Sequence, residues 1–410
     1  MFRPSSWSHK GRFYVLFDIG AASIGVGIVA CTPKKCDLVW RTRMEYGYED
    51  TEDFTRYSRA MYATLLQAGM KLTSEAVKGV RESHPDFSMD NVEVICVLAP
   101  PWFKGTVHTV QQEREAPFQV TNTVLSKIRE NMVNESMRSP ESLAWQDVMG
   151  EPDVLSVHND RVMLEGYPTD SWIGHSTKEL TVHAYLELVS QSVQEHVEEI
   201  LERVLPNHTI YYASSTRNFA QASTLGGKKN AKKRTTLIEL GGQITSISIL
   251  EGSVVEDTIT IPKGTNHLMQ AAAPNAVNAE EARGNITVLQ KKVDSIELDT
   301  LPDELQTELA DWFGEVMTAV HTISGGVIPP TRAVLVVGAF LYPLYAAALR
   351  RPWVIPNMKD NLDVEVAHLV GELTKDKRTL REIDTRLAIL TRTVNDCSRK
   401  KPMCYTINNS

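Results

Sequence analysis

A chain of 410 residues is too long for one small domain and suits two or three. Its 42% hydrophobic and 23% charged residues allow a buried core under a solvated surface, and a net charge of -8 excludes wholesale nucleic-acid binding, which needs a basic face. The five cysteines (Cys31, Cys36, Cys96, Cys397 and Cys404) are odd in number and scattered without a CxxC pair, so neither a zinc site nor a disulfide framework is expected, and a reducing compartment is the simple reading.

The opening MFRPSSWSHKGR is polar and lacks the apolar core of a signal peptide. Phe13 to Ala30 reads as a buried strand, a tight Gly/Ala/Ser turn and a second strand. Thr55 to Val80 has helical spacing, Val92 to Leu98 is an apolar strand run, and Pro100-Pro101 punctuates the chain. From Trp102 to Leu205 the texture is that of a small α/β module. It has a strand-like Thr106 to Gln112, a helix around Val120 to Val133 and a polar connection from Asn134 to Pro152. Alternating runs at Asp153 to Gly166 and Lys178 to Leu188 then lead into a helix from Val189 to Leu205. Ala213 to Thr224 is Ser/Thr/Asn-rich, and Gly226 to Arg234 is a basic loop, either solvated or in contact with phosphates. Strand runs follow at Thr236 to Leu250 and Val254 to Ile261, then an acidic helical region over Glu280 to Val320, a strand at Arg332 to Val337 and a helix at Leu341 to Leu349. The apolar stretches Tyr14 to Ala30 and Ala333 to Leu349 are interrupted by Asp18 or by Gly and Pro, so neither reads as a span of about 20 apolar residues.

The strand–turn–strand device occurs twice. In Asp18-Ile19-Gly20-Ala21-Ala22-Ser23 an acid ends a buried strand and small residues follow, so backbone N–H groups can approach an anion and Ser23 adds a hydroxyl. Glu239-Leu240-Gly241-Gly242-Gln243-Ile244-Thr245 repeats that grammar about 220 residues later. The carboxylates would repel phosphate directly, so their sensible role is to hold a hydrated Mg²⁺ between the turns. A third piece, Val334 to Phe340, is a buried strand that ends in small residues before a helix, where a nucleoside could rest.

These three segments, in this order, resemble the actin/Hsp70/FtsA ATPase superfamily. The run TLIELGGQITSISIL followed by GSVVEDTITIPKGTNHL and NAEEA looks like the pattern of FtsA and PilM. The Trp102 to Leu205 module stands where those proteins carry an SHS2 domain, and its VMLEGYPTDSWIGHSTKELTVHAYL resembles the signature there. The resemblance covers roughly Phe13 to Leu349. It implies an α/β, two-lobed actin-like (ribonuclease H-like) fold with an inserted SHS2-type domain. The expected division is an N-terminal extension over 1–12, a first lobe from 13–101 and 206–232, the module at 102–205, a second lobe at 233–350, and a C-terminal helical segment with a basic tail over 351–410.

The same resemblance implies ATP and Mg as cofactors. Gly20, Ala21, Ala22, Ser23, Gly241, Gly242, Gln243 and Thr245 would hold phosphate. Gly338, Ala339, Phe340 and Glu281 would meet the nucleoside, and Asp18 and Glu239 would hold Mg through water. The departures are Glu239 where Asp is usual, Ser246 where FtsA commonly has Asp, Val337 in place of a glycine, and Gly284, Asn285 and Ile286 where a basic residue usually faces adenine. No base to activate water stands out, so at most a weak ATPase is expected. The expected role is a cytoplasmic PilM-like assembly adaptor for type IV pili, bound to a cytoplasmic peptide of an inner-membrane protein. The alternatives are an FtsA-like division protein that binds a tubulin-like filament and self-associates, and a pseudo-ATPase scaffold. A sugar or acetate kinase is disfavoured, because it would need a catalytic Asp and usually lacks the insertion.

Near the end, Leu380, Ile383, Leu387, Leu390 and Val394 form an a/d seam flanked by Arg381, Arg386 and Arg392. It suits either a partner or membrane-surface helix or a helix packed on its own lobe. The tail Arg399-Lys400-Lys401 adds a weak peripheral attraction to an anionic membrane. Trp102, Trp145 and Trp172 fit either a protein-binding surface or core packing.

Overall fold

Strands β1 (Arg12–Ile19) and β2 (Ser23–Cys31) pair antiparallel, with Ile19 opposite Ile24 across the first Gly/Ala turn. Both are apolar and buried for nearly their whole length, as befits strands covered on both faces. The computed structural model describes residues 12–46, 54–225, 233–273, 279–291, 298–354, 362–373, 384–400 and 406–407. The N-terminal extension, most of the basic loop 226–232, and Leu380, Arg381, Ile383, Lys401 and Cys404 lie outside the described residues.

β3 (Cys36–Glu45) pairs with β2, and the register sets Cys31 opposite Cys36, joined as a disulfide with Cα atoms 4.0 Å apart. This corrects the expectation of no disulfide: the five-residue spacing fits no motif, and only the hairpin register faces the two thiols. α1 (Phe54–Lys71) and α2 (Val77–Ser83) follow, joined by a wide helical turn at Leu72–Ala76, and β4 (Val92–Leu98) runs parallel to β1.

The middle of the chain contributes β5 (Phe103–Gln119), α3 (Asn122–Met137), α4 (Pro140–Met149), β6 (Pro152–Leu164), β7 (Tyr167–Pro168) and β8 (Ser176–Ser190), whose strands form a four-stranded sheet in the order β5-β8-β6-β7. The expected polar connection is largely helical. Thr121 and Ser139 cap α3 and α4 by accepting from the amides of Val124 and Ser142, and Pro140 opens α4, where its fixed φ is already helical. α5 (Gln191–Val204) buries Val193, Val197 and Leu201 in the core that also holds Met61, Leu65 and Ala68 of α1. β9 (Ile210–Ser214) then runs parallel to β4.

The Ser/Thr/Asn-rich stretch forms α6 (Ser215–Leu225). The second half repeats the first. β10 (Arg234–Leu240), β11 (Thr245–Glu251) and β12 (Val254–Ile261) form antiparallel pairs, and α7 (Thr265–Ala272), α8 (Ala279–Lys291) and α9 (Asp303–Ile323) follow. β13 (Arg332–Val336) lies parallel to β10, and α10 (Tyr342–Leu349), β14 (Glu365–His368), α11 (Leu369–Leu373), α12 (Thr385–Lys400) and the short β15 (Thr406–Ile407) complete the described elements. The first sheet reads β15-β9-β4-β1-β2-β3 and the second β14-β13-β10-β11-β12. Apart from β15, each is an antiparallel three-strand meander whose first strand carries two further parallel strands on its other side.

A shared core joins the two sheets. Leu16, Val29 and Ile95 from the first and Leu237, Leu250 and Val334 from the second pack with Phe219 and Ala222 of α6 and with Leu387, Leu390 and Val394 of α12. Of the two readings left open for the C-terminal seam, the described part takes the one in which the helix packs inside its own chain.

Candidate functional site

The two turns meet across one cleft. Gly20 donates to the Ser23 carbonyl at 2.9 Å and Gly241 to the Ile244 carbonyl at 2.8 Å, so both hairpins close by the same bond. Their outward carbonyls are bonded into the lobes. Trp102 Nε1 donates to Gly20 O at 2.8 Å, the Tyr46 and Tyr57 hydroxyls donate to Gly20 O and Ala21 O, and the amides of Thr265 and Asn266 donate to Gly241 O and Gly242 O at 2.9 and 2.8 Å. Trp102, stacked on Tyr57, therefore braces the first turn rather than offering a partner surface. Gly242 lets the lobes touch, since a Cβ there would overlap Ala22, and within the second lobe a Cβ on Gly264 would lie 2.6 Å from the Gly241 carbonyl oxygen.

A cavity of 480 Å³ opens between the lobes and is lined by Gly20, Ala21, Ala22 and Ser23, by Gly241 and Gly242, and by Gly338, Ala339 and Phe340. Most of the residues expected for phosphate and nucleoside are thus gathered at one place. Gln243, Thr245 and Glu281 are not part of the lining. Thr245 is fully buried, donates to Lys263 O at 2.5 Å and accepts from Trp312 Nε1 at 3.1 Å, so its hydroxyl is used inside the second lobe. Glu281 is exposed on α8, and from that helix Arg283 and Thr287 reach the cavity instead.

Beneath the turns the two acids do not stand free. Asp18 is 0% exposed and Glu239 3%. Arg386, in the first turn of α12, spans both: Nε lies 3.0 and 2.8 Å from the two Asp18 oxygens, Nη2 is 2.8 Å from Asp18 Oδ1, and Nη1 is 2.7 Å from Glu239 Oε1. Ser215 Oγ donates to the other Glu239 oxygen at 2.8 Å. Arg43 of β3 donates to Asp18 at 2.7 Å, to Ser23 Oγ at 2.9 Å and through both Nε and Nη2 to Asp384 at 2.6 and 3.0 Å. Asp384 also accepts from the Leu387 amide at 3.0 Å, capping α12 and so aiming Arg386 inward. Burial alone would raise the Asp18 pKa, but the Arg386 and Arg43 guanidiniums outweigh it and hold the carboxyl below its ordinary value. Burial likewise opposes charge on Arg386, and Asp18 and Glu239 overcome it.

The expectation that Asp18 and Glu239 hold Mg through water does not fit these side chains. A guanidinium fills the space between the carboxylates, and both Asp18 oxygens already accept from arginine. Among the described residues, no cluster of three His, Cys, Asp or Glu is placed to hold a metal.

The sequence reading missed Arg43, Asp384 and Arg283 and noted Arg386 only as a flank of the seam. One local signal existed. Gly25 lies opposite Arg43 in the β2–β3 register, and any Cβ there would overlap the guanidinium, so a glycine inside an apolar strand marked a close approach. At the cavity mouth Arg283 of α8 pairs with Glu45 of β3, a contact between the lobes.

No protein-family model matches the chain, and no curated protein matches it in sequence. Among solved structures it is similar to a chain of a PilM-PilN type IV pilus biogenesis complex, with a TM-score of 0.56 and 12% identity over 96% of this chain and 100% of that one. It also matches the ethanolamine utilization protein EutJ from Carboxydothermus hydrogenoformans (TM-score 0.41, 11% identity, 95% of this chain and 91% of that one). A third match is a Bacteroides thetaiotaomicron protein of unknown function with an actin-like ATPase fold (TM-score 0.38, 6% identity, 94% and 96%). With its duplicated sheets, its facing turns and its end-to-end match to the first of these structures, the chain has the actin-like ATPase fold in a PilM-like arrangement.

Proposed function

We propose that this chain is a nucleotide-binding assembly adaptor of the PilM type, which docks on the cytoplasmic face a peptide of an inner-membrane protein in type IV pilus assembly. The observation that carries the reading is the match along 96% of this chain to a protein solved within a PilM-PilN complex. The cleft adds support: two small-residue turns, with their carbonyls tied into the lobes, face a cavity of 480 Å³ that also meets the Gly338-Ala339-Phe340 turn. We read the four-stranded sheet with α3 and α4 as the SHS2-type insertion, and α5, packed on α1, as part of the first lobe. Among the described residues no helix is long and apolar enough to cross a membrane, so the membrane link is assigned to the partner.

The peptide's place in this reading is the 540 Å³ cavity between β5 and β12, lined by Phe103, Trp145, Tyr185 and Asp257. Beside it α4 exposes Leu143 and Val148, apolar side chains that a partner would cover. The test is fluorescence anisotropy with a labelled peptide from the cytoplasmic segment of the PilN-type protein encoded in the same genome. Saturable micromolar binding, weakened at least about tenfold by Trp145→Ala, is expected. No binding of that peptide, with binding instead of the tail of a tubulin-like protein, would replace the pilus role with a division role.

A further inference from the structure

We infer that Arg386 is a built-in substitute for the divalent cation in this cleft, so that the site excludes metal and takes its nucleotide without one. The inference rests, for its nucleotide arm, on the reading of the cleft given above. Three observations carry it.

The first is position. The guanidinium of Arg386 lies between Asp18 and Glu239, the acids that end the two turn-bearing strands, and reaches both within 3.0 Å. A hydrated ion bridging the same carboxylates would need the space that the fork occupies.

The second is saturation. Asp18 accepts from Arg386 on both oxygens and from Arg43 on Oδ2, while Glu239 accepts from Arg386 on one oxygen and Ser215 on the other. Both acids are within 3% of complete burial, so a metal could enter only by displacing a buried guanidinium and leaving it without its carboxylates.

The third is fixation. Arg386 cannot swing away freely, because α12 is anchored on either side of it. Asp384 caps the helix while bound twice by Arg43, and Leu387, Leu390 and Val394 are buried in the core shared by the two sheets. The guanidinium also lies 5.0 Å over the Phe219 ring of α6. The cation thus belongs to a packed helix.

The charge balance has a consequence for the ligand. Two guanidiniums face three carboxylates (Asp18, Glu239 and Asp384), so the base of the cleft carries no surplus positive charge. A nucleotide with few phosphate charges suits it better than a metal-free triphosphate, and ADP is the better probe.

The experiment uses the full-length chain in two arms. Manganese uptake is read by electron paramagnetic resonance and melting temperature with and without Mg²⁺, and ADP affinity is measured by calorimetry in EDTA and in Mg²⁺. Wild type is expected to take up no Mn²⁺, to melt at the same temperature in both buffers, and to bind ADP with affinities within twofold of each other. Arg386→Ala uncovers two carboxylates and should bind Mn²⁺ and melt higher when Mg²⁺ is present. Arg386→Lys keeps a cation there, should remain blind to metal, and reports on folding if the alanine variant does not fold. Stoichiometric Mn²⁺ uptake by wild type, or ADP binding that needs Mg²⁺, would overturn the inference and leave the nucleotide reading standing. ADP binding in neither buffer would instead remove the nucleotide from the proposed function, and metal exclusion would then be decided by the manganese arm alone.

Discussion

Gly242 shows how one absent side chain decides the cleft. The second turn must come within contact of Ala22 while its own carbonyl is taken by the Asn266 amide, and a methyl group there would overlap Ala22. Gly242→Ala should therefore push the turns apart and, if the cleft holds nucleotide as proposed, weaken ADP binding by at least about tenfold, equivalent to roughly 1.4 kcal/mol. Calorimetry on a variant whose circular dichroism is unchanged would measure this; equal affinity would mean that the close approach does not shape the ligand site. Gly20 and Gly241 were legible as candidates because acid–apolar–Gly after a buried strand, an ordinary hairpin when alone, occurs twice about 220 residues apart. Arg43 was not, because its one sign, the glycine Gly25 in β2, points to Arg43 only through the β2–β3 register, which the sequence does not supply.

At the scale of elements, α12 is the piece whose role the sequence left open. Its seam residues Leu387 and Leu390 are 0% and 1% exposed, and they serve the core between α6 and the first sheet rather than a partner. Leu387→Ala should cost about 2–5 kcal/mol, as for other buried leucines. Chemical denaturation followed by tryptophan fluorescence would measure it, and a loss below about 1 kcal/mol would mean that the helix is docked only loosely. α4 teaches the complementary lesson. Its residues look like a connection by composition, yet a serine cap and a first-turn proline are enough to start a helix that the adjoining sheet then supports.

Across the whole molecule, Asp18 and Glu239 belong to different lobes, and Arg386 ties them together. The Asp18 pKa is held below its unfolded value by Arg386 and Arg43 against the opposing effect of burial. The stability this adds is complete above the unfolded carboxylate value of about 3.9 and is lost as pH falls through the depressed folded value. Wild type should therefore lose melting temperature on acidification below about pH 4, beyond what an Asp18→Asn variant loses, since the amide cannot titrate there. Parallel pH profiles for the two proteins would show that the Asp18 pairs add nothing to the closed arrangement.

By itself the sequence determined the repeated strand–turn–strand hairpins, the actin-like resemblance and the small-residue turns that line part of the cleft, because local alternation, small-residue turns and chain order carry that information. Only the tertiary structure decided what fills the space between the acids. Arg386 stands 368 positions from Asp18 and 147 from Glu239, so no spacing rule relates them. Their meeting depends on how α12 docks between two sheets, which is set by packing over the whole chain.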